Sequence, residues 1–211
     1  MSSREAIRFD GPAGSLEGIL EVPDGEIAGI GVVCHPHPQH QGTMTNKVAH
    51  TLARAMLDLN LVALRFNFRG VGSSEGDYDQ GVGEVADAVA AAAWLSKLYP
   101  DQPLVFGGFS FGARVAILAA TRHPCRALVS VAPAVGLNFA LPFEQPAVPW
   151  LVVQGDEDEL VDCDEVVAFV DQLEPGPELE VMPGVGHFFH GKLTPLRESV
   201  REFIVAEFEL R

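Results

Sequence analysis

The chain alternates short, β-rich apolar runs with longer segments of helical period, from about residue 27 to its end. This alternation predicts an α/β fold, in which a mostly parallel, twisted sheet carries helices on both faces. The predicted central strands are nearly continuous apolar runs, as strands covered on both faces should be. In chain order they span residues 30–34, 61–66, 104–109, 127–131, 150–154 and 178–182.

Five helices are predicted, over about residues 47–59, 83–98, 111–123, 164–173 and 194–208. Asp162 and Glu165 have capping-box spacing, which predicts that the fourth helix begins there. Before the first central strand, residues 6–9 and 16–22 predict an antiparallel hairpin at the edge of the sheet. No repeat or linker interrupts the pattern, so we expect a single domain over residues 1–211.

The composition is that of an acidic globular protein. Of 211 residues, 14 are Lys or Arg and 29 are Asp or Glu, which gives a net charge of −15. This charge argues against nucleic acid and against an anionic membrane surface as partners. No apolar run approaches the roughly 20 residues that a membrane-spanning helix needs, and the N-terminus lacks the pattern of a signal peptide. We therefore expect a cytoplasmic protein.

The sharpest chemical signal is Gly-Phe-Ser-Phe-Gly at residues 108–112, between a predicted strand and a predicted helix. A serine in such a tight turn adopts a strained backbone, and the flanking glycines let strand and helix approach closely. The turn sets the hydroxyl at a helix N-terminus, whose partial positive charge favours developing anions. We predict that Ser110 is a nucleophile, with a chance Gly/Ser turn as the alternative.

A serine nucleophile requires a general base. Of the seven histidines, only His187 and His190 follow Ser110 by enough chain to lie on the loop of a later strand. His187 ends a glycine-rich loop, residues 183–187, in which a flexible backbone can aim the ring at the sheet edge. We predict His187 as the base and keep His190 as its competitor.

The carboxylate that orients this base is expected in the loop after the preceding strand. Residues 156–159 of that loop are four consecutive acids, and three of them are expected to form only a solvated turn. Asp158 can point back across the sheet end, whereas Asp156 is better placed to close the turn. We predict that Asp158 accepts the ring N–H of His187, with Asp156 as the alternative.

The chain order Ser110, Asp158, His187 resembles that of the α/β-hydrolases. Three further segments resemble this family: His-Pro-His-Pro at residues 35–38, Arg-Gly-Val-Gly-Ser-Ser-Glu-Gly at 69–76, and Gly-Asp-Glu-Asp at 155–158. The last is similar to the Gly-x-x-Asp of the family and independently favours Asp158. The first, with residues 42–47, resembles a compact, capless bacterial subgroup related to dienelactone hydrolases and small esterases.

Acyl transfer builds negative charge on the carbonyl oxygen, which two N–H donors must stabilise. Phe111 follows the nucleophile and supplies one backbone N–H by geometry. The resemblance implies that the second is the backbone N–H of His37, because Pro36 and Pro38 have none. A rigid proline-rich turn without a catalytic part is the alternative.

The site is expected to be open and apolar, because residues 133–149 are too few for a cap domain. Met44, Phe111, Phe188 and Phe189 are predicted to line an acyl pocket, with core packing as the alternative for each. An apolar lip is predicted from Leu137, Phe139, Leu141 and Phe143.

Two other kinds of site, a zinc site and a phosphate-binding loop, match the sequence only in part. Cys34, His35, His37 and His40 include possible zinc ligands, but the alternating prolines prevent the helical spacing that would bring them together. Residues 186–192 match Gly-x-x-x-x-Gly-Lys, yet Leu193 stands where a magnesium-binding hydroxyl is required. We predict neither a metal ion nor a cofactor.

The sequence therefore predicts a serine hydrolase that cleaves small carboxylic esters through an acyl-enzyme. A thioesterase or a peptidase would use the same residues. A non-catalytic binding protein with the hydrolase fold is the rival from another class.

Overall fold

A computed structural model describes residues 2–137 and 141–210. Within these residues eight strands form one sheet, in the order β1-β2-β4-β3-β5-β6-β7-β8. The strands are β1 (Ser3–Gly11), β2 (Gly14–Val22), β3 (Gly29–Cys34), β4 (Leu61–Phe66), β5 (Leu104–Phe109), β6 (Ala127–Val131), β7 (Trp150–Gly155) and β8 (Glu178–Met182). The helices are α1 (Lys47–Asp58), α2 (Val82–Leu98), α3 (Phe111–Ala120), α4 (Cys163–Val170) and α5 (Leu193–Phe208).

Strands β3 to β8 are parallel to one another, whereas β1 and β2 form an antiparallel hairpin that joins the sheet at β4. This architecture confirms the predicted α/β fold, and each central strand lies within one residue of its predicted bounds. The hairpin strands are longer than predicted. At α4, the Asp162 carboxylate accepts the N–H of Glu165 at 3.1 Å, as the capping spacing predicts.

Helix α3 ends at Ala120, three residues before the predicted end at residue 123. The N–H groups of Arg122 and His123 both donate to the Ala119 carbonyl, and the Thr121 hydroxyl donates to the Leu118 carbonyl. These hydrogen bonds close the last turn of the helix before Pro124. Helix α4 likewise ends at Val170, before the predicted residue 173.

Helices cover the sheet on both faces. Helices α2, α3 and α4 pack on one face, and α1 and α5 pack on the other. An apolar cluster lies between the sheet and the helices on each face. Every residue of β3 to β7 is buried, which is why these strands appear in the sequence as nearly unbroken apolar runs.

The parallel arrangement brings three loops to one edge of the sheet. Strands β5, β6, β7 and β8 are consecutive neighbours, so the turn after β5, the acidic loop after β7 and the glycine-rich loop after β8 leave the sheet on the same side. In open parallel sheets this carboxyl edge is where ligands bind.

In the described part of the chain, no helix combines the length and the apolar character that crossing a bilayer requires.

Candidate active site

Ser110 occupies the sharp turn between β5 and α3. Its backbone has φ +56° and ψ −117°, a conformation that residues with a side chain rarely adopt and that is typical of strained functional positions. A Cβ atom on Gly108 would lie 2.2 Å from the Gly112 carbonyl oxygen. A Cβ atom on Gly112 would lie 2.3 Å from the Cys34 carbonyl oxygen. Both glycines are therefore required by close backbone approach, as the motif predicts.

His187 and Asp158 form a direct hydrogen bond. The Nδ1 atom of His187 lies 2.8 Å from Oδ2 of Asp158 and 3.1 Å from Oδ1. Both side chains are almost inaccessible to solvent. An ionised carboxylate only accepts hydrogen bonds, so Nδ1 carries the proton and Nε2 of the neutral ring is left as a base.

The surroundings of Asp158 keep it ionised. Burial alone would raise the pKa of this carboxyl group. Hydrogen bonds from His187 and from the N–H groups of Val161 and Leu160 outweigh burial and lower the pKa below its ordinary value. At neutral pH the Asp158 carboxylate can therefore stabilise a protonated His187 ring.

The His187 ring lies beside the serine turn. Its centroid is 4.9 Å from that of Phe109, the residue before Ser110. The N–H of Ser110 donates to the Val131 carbonyl at 2.9 Å, which fixes the turn on β6. His190, the competing base, is exposed and contacts the ring of Phe188.

The acidic loop also holds the backbone of the histidine loop. Oδ1 of Asp156 accepts the N–H of Gly184 at 2.7 Å, and Oε2 of Glu159 accepts the N–H of His187 at 3.1 Å. The prediction that these two acids form only a solvated turn is therefore wrong. Loops that follow neighbouring parallel strands run side by side, and the histidine loop supplies N–H groups that need acceptors.

Gln154 is a site residue that the sequence reasoning missed. Its fully buried side-chain amide donates to Oδ2 of Asp158 at 3.1 Å and to the Val161 carbonyl at 3.0 Å. The sequence does contain an indication, because Gln154 is a polar residue inside an otherwise apolar strand. Buried polar side chains usually have hydrogen-bond partners.

The His-Pro-His-Pro turn packs directly on the serine turn. The ring centroids of His37 and Phe111 are 4.8 Å apart. A Cβ atom on Gly112 would also lie 2.3 Å from the His35 carbonyl oxygen, so the backbones of the two turns are in close contact. The structure thus brings together the two residues predicted to supply oxyanion donors.

His35 anchors this turn to the end of β4. Its Nδ1–H donates to the Pro36 carbonyl at 2.6 Å, and its Nε2 accepts the N–H of Phe68 at 3.1 Å. The side chain is completely buried, and burial lowers its pKa to about 4. His35 is therefore a neutral structural residue at pH 7.

The predicted pocket residues separate into exposed and core positions. Met44 is half-buried, and its N–H donates to Oδ1 of Asn67 at 2.8 Å. Phe188 is exposed beside His187. Phe189 and Phe111 instead follow the core-packing alternative, because both rings are buried in the apolar clusters that cover the sheet.

The predicted lip is only partly present. Leu137 is exposed, whereas Leu141 and Phe143 pack against the apolar cluster around α2 to α4. Phe139 lies outside the described residues. Among the residues that the structure describes, no group of three His, Cys, Asp or Glu side chains is arranged to hold a metal ion.

The chain is similar to a known protein family and to proteins from several bacteria. A family model described as serine aminopeptidase, S33, matches residues 26–146. A Xanthomonas campestris structure described as an α/β serine hydrolase without lid is 39% identical, covers 97% of this chain and 94% of its own, and has a TM-score of 0.91. A structure of an α/β serine hydrolase homologue from Coxiella burnetii is 46% identical over 94% of this chain and 96% of its own, with a TM-score of 0.89. An uncharacterized protein of Rickettsia prowazekii is 34% identical over 94% of this chain and 88% of its own.

Proposed function

Because the chain belongs to the serine aminopeptidase S33 family of α/β serine hydrolases, we propose that it is a serine esterase that cleaves small carboxylic esters through an acyl-enzyme. The observation that carries the proposal is the hydrogen bond between His187 Nδ1 and Asp158, beside the strained turn of Ser110. A buried, oriented histidine next to a serine in this turn supplies the base that a hydroxyl nucleophile needs.

In the proposed reaction, the Ser110 hydroxyl oxygen attacks the ester carbonyl carbon while His187 Nε2 takes the hydroxyl proton. Asp158 stabilises the imidazolium ion without taking the proton itself. The tetrahedral intermediate then expels the alcohol, which receives its proton from His187. Water, activated by the same histidine, hydrolyses the acyl-enzyme and restores Ser110.

The negative oxygen of the tetrahedral intermediate requires hydrogen-bond donors placed in advance. We assign this role to the backbone N–H groups of Phe111 and His37, which lie on adjoining turns. Loss of one such donor typically lowers kcat by about 100- to 1000-fold. The Xanthomonas relative is described as lacking a lid, which supports an open site for this chain as well.

The description of the family model favours aminopeptidase activity as a second candidate. Both activities use Ser110, Asp158 and His187 and differ in the leaving group. The kcat/KM values for p-nitrophenyl acetate and for an aminoacyl p-nitroanilide, each divided by the uncatalysed hydrolysis rate of the same substrate, distinguish them. We expect the larger acceleration for the ester.

Active-site labelling with a fluorophosphonate tests the proposal directly. We expect one covalent adduct per chain in the wild type, none in Ser110→Ala, and unchanged labelling in Ser73→Ala, which alters an exposed serine on another loop. Circular dichroism confirms that each variant is folded. The absence of a Ser110-dependent adduct on folded protein would overturn the proposal in favour of the non-catalytic binding protein.

A further inference from the structure

Three large apolar side chains are exposed at the edge of the sheet where the proposed site lies. Leu137 is 38% exposed, Leu160 is 65% exposed and Phe188 is 41% exposed. They lie on the loops that follow β6, β7 and β8. Apolar side chains that remain exposed together around one site are typical of a binding surface.

Leu137 and Leu160 are each linked by backbone hydrogen bonds to a proposed catalytic residue. The N–H of Leu160 donates to Oδ1 of Asp158 at 2.9 Å. The N–H of Leu137 donates to the Ala134 carbonyl, and the N–H of Ala134 donates to the Ser110 carbonyl, both at 3.3 Å. The backbones of both residues are therefore held close to the reacting groups.

Phe188 is placed by its neighbours in the chain and in space. It follows His187, and the centroids of the two rings are 5.1 Å apart in an edge-on arrangement. Its ring also lies 6.2 Å from that of Phe109, the residue before Ser110. Phe188 thus borders both the base and the serine turn.

The charges beside these side chains restrict the ligand. Asp156, Glu157 and Glu159 are exposed on the loop that also carries Leu160. Carboxylates at this position repel an anionic group on the substrate and leave an uncharged chain unaffected.

We infer that Leu137, Leu160 and Phe188 form an apolar rim that binds the uncharged acyl chain of the ester and determines the preferred chain length. This inference rests on the proposed function and narrows its substrate class to esters of uncharged, apolar acids. Because the rim is open, it contacts only one side of the acyl chain. Each methylene added to the acyl chain is therefore expected to raise kcat/KM about 2-fold. A methylene that became completely buried would raise it about 4-fold.

The test measures kcat/KM for p-nitrophenyl esters from acetate to octanoate. In the wild type we expect octanoate to exceed acetate by about 60-fold. In the triple variant Leu137→Ser, Leu160→Ser, Phe188→Ser we expect this ratio to fall below about 5-fold. The matched control is Leu98→Ser, which alters a side chain that is 50% exposed at the end of α2, and it should keep the wild-type ratio.

A negatively charged substrate tests whether the acidic loop disfavours anionic acyl groups. We expect p-nitrophenyl valerate to react more than about 10-fold faster than the monoanionic p-nitrophenyl hemiglutarate, and Glu157→Gln to reduce that preference. An unchanged chain-length ratio in the folded triple variant would overturn the inference while leaving the esterase proposal intact. Absence of Ser110-dependent acetate hydrolysis would overturn both.

Discussion

Gln154 and His187 bind the same carboxylate oxygen. The amide nitrogen of Gln154 lies 3.1 Å from Oδ2 of Asp158, and Nδ1 of His187 lies 2.8 Å from that atom. The other oxygen of Asp158 accepts the N–H groups of Leu160 and Val161, at 2.9 and 2.8 Å. The carboxylate is therefore fixed from both sides, and Gln154 is the one amide side chain among these donors.

We expect Gln154→Leu to lower kcat for p-nitrophenyl acetate by about 10- to 100-fold, because the Asp158 carboxylate loses one of the donors that orient it. The free energy of unfolding should also fall, by about 1–3 kcal/mol, because the Asp158 carboxylate and the Val161 carbonyl lose a buried donor. Removal of Oε1 of Gln154, which has no hydrogen-bond partner among the described residues, offsets part of this cost. Urea unfolding measures this second quantity. A wild-type kcat in the folded variant would show that Gln154 only supports the fold.

Glu159 positions the histidine loop through its hydrogen bond to the His187 N–H. That bond is the main cause of the lowered pKa of Glu159, so the side chain stays a strong acceptor at neutral pH. We expect Glu159→Ala to lower kcat/KM about 5-fold and Glu159→Gln to lower it less, because an amide oxygen can still accept the bond. Glu157→Ala, on the same loop, serves as the control in the acetate assay. Equal activities of the two alanine variants would contradict this role.

The central strands could be predicted because burial on both faces leaves a direct trace in the sequence. Residues 61–66 and 104–109 are examples, since each is apolar throughout or nearly so and ends at the observed position. The ends of α3 and α4 could not be predicted as well. They depend on turn hydrogen bonds such as those to the Ala119 carbonyl, which periodicity does not encode.

The candidate site was predictable where chain order and local motifs specify it. The chain order of Ser110, Asp158 and His187 predicts that they lie together at one edge of the sheet. The structure brings Asp158 and His187 into contact. The parts that were missed depend on contacts between loops. Nothing local to Glu159 indicates that a neighbouring loop presents an N–H to it, and two adjacent phenylalanines do not reveal that Phe189 faces the core.

Gly112 tests how closely the two turns must approach. A methyl group there would lie 2.3 Å from two backbone carbonyl oxygens, which cannot move independently of β3 and the turn after it. We expect Gly112→Ala to lower the free energy of unfolding by about 1–3 kcal/mol, and to lower kcat because helix α3 is displaced from the turn of His37. Gly136→Ala is the matched control, since its Cβ would meet only the end of the Glu165 side chain, at 3.1 Å. Similar urea midpoints for both variants would contradict the requirement.

His35 links the turn of His37 to β4 only while its ring is neutral. Its Nε2 accepts the N–H of Phe68, so a proton added to Nε2 would point at another donor and could not form a hydrogen bond there. Burial accordingly lowers the pKa of His35 from 6.5 to about 4 in the folded protein. Below pH 6.5 the unfolded chain takes up a proton at this residue that the folded chain does not, so acid favours unfolding.

The stabilisation due to neutral His35 is therefore complete above about pH 6.5 and is lost as the pH falls toward 4. Between pH 7 and pH 5 we expect this group to lower the free energy of unfolding by about 2 kcal/mol. Urea unfolding of the wild type and of His35→Gln at both pH values isolates the effect, because all other titrating groups are common to both proteins. The variant should be less stable at pH 7, because it loses the bonds to Pro36 and Phe68, and should lose about 2 kcal/mol less on acidification. An identical pH dependence in the two proteins would show that His35 takes up its proton as readily in the folded chain as in the unfolded one.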